Sequence, residues 1–279
     1  MFKERCVVEE NKKVAPGHYV IRMRSKKIAP KSKPGQFVQV LCSDLYEPFL
    51  PRPFSFLEAD KHSFSFLYQV VGKGTKILSS VKKGDELSIL GPLGQGFTLS
   101  NRNHKLVLVG GGVGIPPLYH WAKECVQKLK VSAKNIHVFL GARDQSLLLC
   151  EKEFKKLGVY FQTATDNGSK GHKGFVTDLV ENFLRHSEPR TPNSELIYTC
   201  GPTPMLKAVS VLAQKYAVSC EVSVEVPMAC GFGACLGCAI KVRSSESGVR
   251  NEELSTAKHR FAIACCEGPV FQAQDILWE

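Results

Sequence analysis

KLVLVGGGVGIPPLYHWAKECVQKLK, residues 105–130, decides the fold. Leu106 to Val109 form an unbroken apolar run, the pattern of a strand buried on both faces. Glycines follow at 110–112 and 114, and from Pro116 onward the apolar residues take helical spacing. Prolines 116 and 117 fit the first turn of a helix, where a missing N–H costs little. A strand that turns through glycines into a helix is the opening of a parallel α/β unit.

Reading outward toward the C-terminus, the alternation continues. NIHVFLGA (135–142), YFQTATD (160–166) and ELIYTCG (195–201) read as strands. LLLCEKEFKKLG (147–158), GFVTDLVENFLRH (174–186) and PMLKAVSVLAQKY (204–216) read as helices. This order predicts a parallel sheet covered on both faces, with ligands beyond the carboxyl ends of its strands. Those ends, GGGVG, GARD, TATDNG and TCGP, are rich in small and polar residues. Toward the N-terminus the texture changes. HYVIRMRS, GQFVQVLC, PFSFLEA, FSFLYQVV and ELSILGPL are strand-length and rich in aromatic and β-branched residues, with Gly, Pro, Lys and Asp between them. They predict an antiparallel barrel or sandwich. The polar segment SNRNH (100–104) reads as a junction. The chain is thus expected to be multidomain, all-β followed by α/β: residues 1–101, 102–220 and a small C-terminal module at 221–279. That last module is too short for a sizeable core and needs a metal to hold it.

Composition narrows the function. The chain has 279 residues, 43% hydrophobic and 23% charged, as in ordinary globular proteins. Its net charge of +11 raises the question of nucleic acid. However, Lys12, Lys13 and the basic residues from Arg22 to Lys33 lack the interleaved aromatic platform of a single-strand binder. A solvated basic surface, or one that steers an acidic protein partner, is the better reading, with no nucleic acid. No apolar run reaches the ~18 residues of a membrane span, and the N-terminus carries no secretory pattern. A cytoplasmic location follows, where a disulfide framework would be out of place. The eleven cysteines therefore point to metal or redox chemistry.

Four motifs carry that chemistry. Cys230-x4-Cys235-x2-Cys238, followed by Cys265 or Cys266, has the plant-type [2Fe–2S] spacing, and glycines between the ligands bring backbone amides to the sulfurs. A four-cysteine zinc site is the competing reading, and the x4 spacing fits it poorly. Arg52-Pro53-Phe54-Ser55 opens a strand, and Gly72-Lys73-Gly74-Thr75 reads as a turn. Arginine and turn amides together suit a diphosphate. Gly110 to Gly114, with Val113 among them, offers amides and a helix N-terminus to a pyrophosphate. Ile115, however, stands where the strict dinucleotide fingerprint wants a small residue. Thr199-Cys200-Gly201-Pro202 ends the last strand. No histidine signature accompanies Cys200, so a non-covalent role beside a nicotinamide is expected of it.

RPFS, GKGT, GGGVGIPPL, TDNGSKGHKGFVTD, CGPTPML, MACGFGACLGC and CEGPVF, spanning residues 52–271, together resemble the ferredoxin-reductase-like flavoproteins. Within these they are most similar to the electron-transfer subunits of NAD-dependent (class B) dihydroorotate dehydrogenases. The resemblance implies an N-terminal FAD-binding β-barrel, a nicotinamide-nucleotide domain and a C-terminal [2Fe–2S] domain. It implies that Arg52, Pro53, Phe54 and Ser55 hold FAD, with Ser55 near the reactive nitrogen of the flavin. Leu67, Tyr68 and Gln69 would line its ribityl or adenine side, and Gly72, Gly74 and Thr75 its diphosphate. Gly111, Gly112, Val113, Gly114, Cys200, Gly201 and Pro202 would frame NAD(P). Cys230, Cys235, Cys238 and Cys265 would ligate the cluster, Cys265 being three residues before Gly268. Cys266 is the spare, and the adjacent cysteines depart from the family pattern.

The same resemblance implies an oxidoreductase subunit in a hetero-oligomer with an FMN-containing dehydrogenase. Electrons from dihydroorotate oxidation, in pyrimidine biosynthesis, would pass by way of the cluster and FAD to NAD+, with no catalytic acid or base from this chain. Two other readings stay open: a diaphorase subunit of a sulfide dehydrogenase, hydrogenase or sulfite reductase, or a non-catalytic redox sensor. SSESGVRNEELSTAKHR (244–260) carries none of these motifs and reads as a surface loop.

Overall fold

A computed structural model describes residues 1–43, 46–100, 103–187, 195–244 and 259–278. The central part of the expected junction (101–102) and most of the expected loop (245–258) lie outside these residues. The N-terminal strands are β1 (Phe2–Ala15), β2 (His18–Arg24), β3 (Phe37–Leu41), β4 (Arg52–Ala59), β5 (Ser63–Gln69) and β6 (Glu86–Leu93). They close into an antiparallel barrel in the order β1-β2-β5-β4-β3-β6. Ile21, Met23, Val38, Val40, Phe56, Phe64, Phe66 and Ile89 fill its interior. Because side chains alternate along a strand, the inward Val38 and Val40 leave Phe37 and Gln39 on the outer face of β3.

Sequence reading passed over two elements here. β1 is the longest strand of the barrel, although it is written largely in Glu, Lys and Asn. The GKGT segment, expected as a turn, is the start of a helix, α1 (Lys73–Ser80), with Gly72 at its N-cap.

The α/β part comprises β7 (Lys105–Gly111), α2 (Ile115–Gln127), β8 (Ile136–Ala142), α3 (Glu151–Lys156), β9 (Tyr160–Thr165) and β10 (His172–Lys173). These are followed by α4 (Val176–His186), β11 (Glu195–Cys200), α5 (Thr203–Lys215) and β12 (Ser219–Ser223). α3 is shorter than the apolar run predicted, because Cys150 takes a left-handed conformation (φ 58°) before it. The alternation of β7 splits the core into two layers. Leu106 and Leu108 pack with α2 residues Ile115 and Leu118. Val107 and Val109 pack with Val180 of α4 and Leu206 and Val209 of α5.

Beyond β12 come β13 (Ala239–Arg243), β14 (His259–Ile263) and β15 (Val270–Gln272). β13 and β14 form an antiparallel pair, while β15 joins the larger sheet as an antiparallel edge on β12. The sheet order is therefore β10-β9-β8-β7-β11-β12-β15. The chain runs from β7 to β8 on one side and later returns to β11 on the other. That makes the crevice between β7 and β11 a topological switch point, where such sheets bind ligands. The cysteine-bearing segment has little core of its own: Cys238, Ala264 and Cys265 pack against Phe37 and Leu93 of the barrel.

Candidate functional site

The barrel's closure brings the start of β4, Arg52, Pro53, Phe54 and Ser55, beside the end of β5, Leu67, Tyr68 and Gln69, along one wall of a cleft of about 660 Å³. The N-terminal turn of α1, with Gly72, Gly74 and Thr75, closes one end of the cleft. Phe54 stacks on Phe66 with ring centroids 4.7 Å apart, which fixes the β4 wall against the barrel core. Thr75 Oγ1 accepts the N–H groups of Val71 at 2.9 Å and Gly72 at 3.1 Å, so its hydroxyl acts as a helix cap. The next amides of α1 have no intrahelical acceptor, as at every helix start. A Cβ on Gly74 would lie 3.5 Å from Arg52 Nε, so guanidinium and helix terminus stand side by side. Two positive groups in contact fit the diphosphate of FAD. The size and largely apolar lining of the cleft fit its ring system.

The opposite wall comes from the α/β sheet. Val113, Gly114, Pro116 and Cys200 line the same cleft. Gly114 is held against the β11 turn so closely that a Cβ would lie 2.5 Å from the Cys200 carbonyl and the Gly201 nitrogen. Only glycine permits this approach of two backbones at the switch point. Gly111 is packed on Pro202 and Met205, and Gly112 is turned to open space with φ +56°. Gly111, Gly112, Gly201 and Pro202 therefore shape the turns and do not line the cleft itself. Burial pushes the Cys200 thiol up to about 12. It is protonated at neutral pH, which suits contact with a ring and not nucleophilic attack.

The cysteines gather in two pairs. The Cys230 thiol lies beside that of Cys235; burial opposes its ionisation, but the amides of Phe232, Cys235 and Ala234 prevail and draw it down to about 6. Cys238 and Cys265 form the second pair: the Cys265 N–H donates to Cys238 Sγ at 3.4 Å, and the Gly233 N–H donates to Cys265 Sγ at 3.1 Å. Burial and the neighbouring Cys238 and Cys266 thiols raise the Cys265 thiol. Cys266 is exposed, with its sulfur 3.8 Å from that of Cys265. Two thiols for each of two irons is the donor set of a [2Fe–2S] centre. Among the described residues no three potential ligands converge on one ion.

Sequence reasoning missed one segment of the cleft. Ser223 to Met228, between β12 and Cys230, lines it together with Phe37 and Pro269. The alternation in SVEVPM was the available signal, but it was eclipsed by the cysteines that follow.

Known proteins resemble this chain in sequence and in fold. Residues 108–211 match the family model "Oxidoreductase NAD-binding domain". Residues 225–277 match "Iron-sulfur cluster binding domain of dihydroorotate dehydrogenase B". The chain is 39% identical over 268 residues to the dihydroorotate dehydrogenase B (NAD(+)) electron transfer subunit of Desulforamulus reducens, covering 95% of each chain. It is 38% identical over 277 residues to the subunit of the same name from Caldanaerobacter subterraneus subsp. tengcongensis, covering 99% of each. A solved NADH-dependent reduced ferredoxin–NADP oxidoreductase, studied for flavin-based electron bifurcation, superposes with a TM-score of 0.79. It is 29% identical, over 98% of this chain and 90% of that one. The cytochrome b5 reductase domain of Ulva prolifera nitrate reductase shares the fold, with a TM-score of 0.63 at 19% identity, over 77% of this chain and 93% of that one.

Proposed function

This chain belongs to the family of dihydroorotate dehydrogenase B electron transfer subunits, and from that membership we propose that it carries electrons from a dihydroorotate-oxidising catalytic subunit to NAD+. The observation that supports this best is the single cleft shared by β4 and β5 of the barrel, the β7 and β11 turns of the sheet, and the segment leading to Cys230. A site for flavin, a site for nicotinamide and the cysteine cluster thus adjoin one another. We assign residues 1–101 to FAD, 102–220 to NAD and 221–279 to the cluster; the family matches at 108–211 and 225–277 support the latter two.

When bound, FAD exchanges hydride with nicotinamide and single electrons with a [2Fe–2S] cluster, which joins two-electron to one-electron chemistry. The chain's part is to bind and orient. Arg52 and the amides of α1 hold the diphosphate, while Pro53, Phe54 and Ser55 support the ring. Leu67, Tyr68 and Gln69 line the remainder of the flavin. Val113, Gly114 and Cys200 stand on the opposite wall of the cleft, where they would admit the nicotinamide and keep water out. Gly111, Gly112, Gly201 and Pro202 set the turns that bring that wall into place. Cys230 with Cys235, and Cys238 with Cys265, would supply the four thiolates that hold the cluster. Amides directed at Cys230 keep its sulfur in the thiolate form a ligand must have.

The partner is proposed to be an FMN-bearing catalytic subunit. Phe232 and Leu236, exposed beside the cluster cysteines, give it an apolar surface to meet. All eleven cysteines lack disulfide partners, which supports a cytoplasmic home. No helix among the described residues is long and apolar enough to cross a membrane.

The test is the Cys235→Ala variant assembled with its catalytic subunit. Dihydroorotate-driven NAD+ reduction falls by about a hundredfold or more, while FAD-dependent NADH oxidation by ferricyanide persists. Equal loss of both activities with FAD still bound would refute the division of labour.

A further inference from the structure

Gln39 occupies the outer face of β3, paired in register with Pro53 of the flavin-supporting strand. It is only 1% exposed. Both polar atoms of its side chain, Nε2 and Oε1, are buried and have no hydrogen-bond partner among the described residues. A carboxamide left unpaired in the interior is costly, and proteins keep such groups where something else satisfies them. Gln39 does not line the flavin cleft, although Phe37, two residues earlier on the same face, does. Its neighbour on the other side is the cysteine loop. Gly231, which follows Cys230, has φ +80°, and a Cβ there would lie 2.5 Å from Gln39 Cγ and 2.8 Å from Nε2. The loop backbone rests directly on the carboxamide, and glycine is what lets it do so.

We propose that Gln39 Nε2 donates a hydrogen bond to a sulfur of the [2Fe–2S] cluster, a bridging sulfide or the Cys230 thiolate, and so raises the cluster's reduction potential. The proposal rests on the cluster reading given above. Reduction adds negative charge to the sulfurs, so a donor aimed at them favours the reduced state. The backbone already supplies such donors from within the loop, through Phe232, Ala234 and Cys235. Gln39 adds one from the barrel, on the strand next to the flavin wall. It tunes the cluster and touches neither substrate nor nucleotide.

The test uses the reduced holoprotein labelled with 15N at its glutamine side chains and read by pulsed electron paramagnetic resonance. A 15N coupling to the cluster signal is expected, and it persists in Gln95→Met. That control is needed because Gln95 Nε2 donates to the Cys266 carbonyl at 3.2 Å, so it is a second labelled side chain beside the cysteine segment. In Gln39→Met the coupling disappears and the cluster potential falls by about 59 mV, a tenfold change in its one-electron equilibrium. The proposal is overturned by a cluster signal without 15N coupling, by a coupling that vanishes in Gln95→Met, or by a Gln39→Met cluster at the wild-type potential. Should Gln39→Met not assemble a cluster, the labelled wild-type and Gln95→Met samples decide the matter. Absence of any cluster signal after reconstitution would instead overturn the cluster reading itself.

Discussion

Cys265 and Cys266 are chemically alike and adjacent, yet the fold buries one and exposes the other. Cys265 is 2% exposed and packed beside Cys238, whereas Cys266 faces solvent. Cys265→Ser is therefore expected to abolish stable cluster incorporation, and Cys266→Ser to leave it intact, as read by iron and sulfide content per flavin. The reverse result would exchange the ligand. Spacing left this choice open and only the family resemblance favoured Cys265, because burial is a property of the folded chain. The sequence could, however, name the residues of the cleft. RPFS and GKGT stand twenty positions apart, and an arginine with a glycine turn could be read as suiting a diphosphate, although the turn is the start of a helix and the support of a ring came from the resemblance. Gln39 had no such signal. A lone glutamine in an apolar strand acquires meaning only once Gly231 is seen lying on it.

At the scale of elements, α2 ties the sheet to the barrel. His120 meets Phe56 of β4 with ring centroids 6.4 Å apart, and Lys123 pairs with Glu58 at 2.9 Å. Burial, helped by Lys128 and Lys123, draws the His120 imidazole down to about 3. The unfolded chain therefore binds a proton that the native state refuses between about pH 6.5 and 3, so stability is full above that window and is lost as pH falls through it. His120→Phe should flatten this acid limb in thermal melts. At neutral pH it should cost little, since the ring's Nδ1 gives up no partner among the described residues. An unchanged acid limb would show that other groups govern it. The helices and strands of the α/β part were legible because their periodicity is local. β1 was not: only Cys6 and Val8 of its residues are buried. Its hold comes from pairing with β2 and β6 and from Glu9, which binds Arg22, Arg24 and Ser63. α1 was missed for a related reason: glycine, threonine and serine are poor helix formers, and Leu78 is its one fully buried large apolar side chain.

Across the whole molecule, Glu221 of β12 is where the three parts meet. Its carboxylate accepts from the Thr98 N–H at 3.0 Å and the Thr98 hydroxyl at the end of the barrel segment, and from Gln272 Nε2 of β15 at 3.4 Å. Burial outweighs these donors and raises its pKa above the ordinary carboxylate value. The stability it contributes is complete below that value and declines as pH rises through the raised one. Glu221→Gln, which keeps an acceptor without the charge, should remove this decline and hold the melting temperature at or above wild type at neutral pH. A variant that melts lower with the pH slope unmoved would contradict this. The joint also explains why the cysteine segment, too small to be self-sufficient, keeps its place: β15 extends the sheet, and Phe37 and Leu93 complete its core. The most direct test of the account is an anaerobic titration of the reconstituted holoprotein with NADH, followed by visible absorption. It predicts an uptake of about three electron equivalents per chain, two at the flavin and one at the cluster, with both bands bleaching. A protein that remains colourless after reconstitution, or takes up only the flavin's two equivalents with iron and sulfide bound, would contradict it.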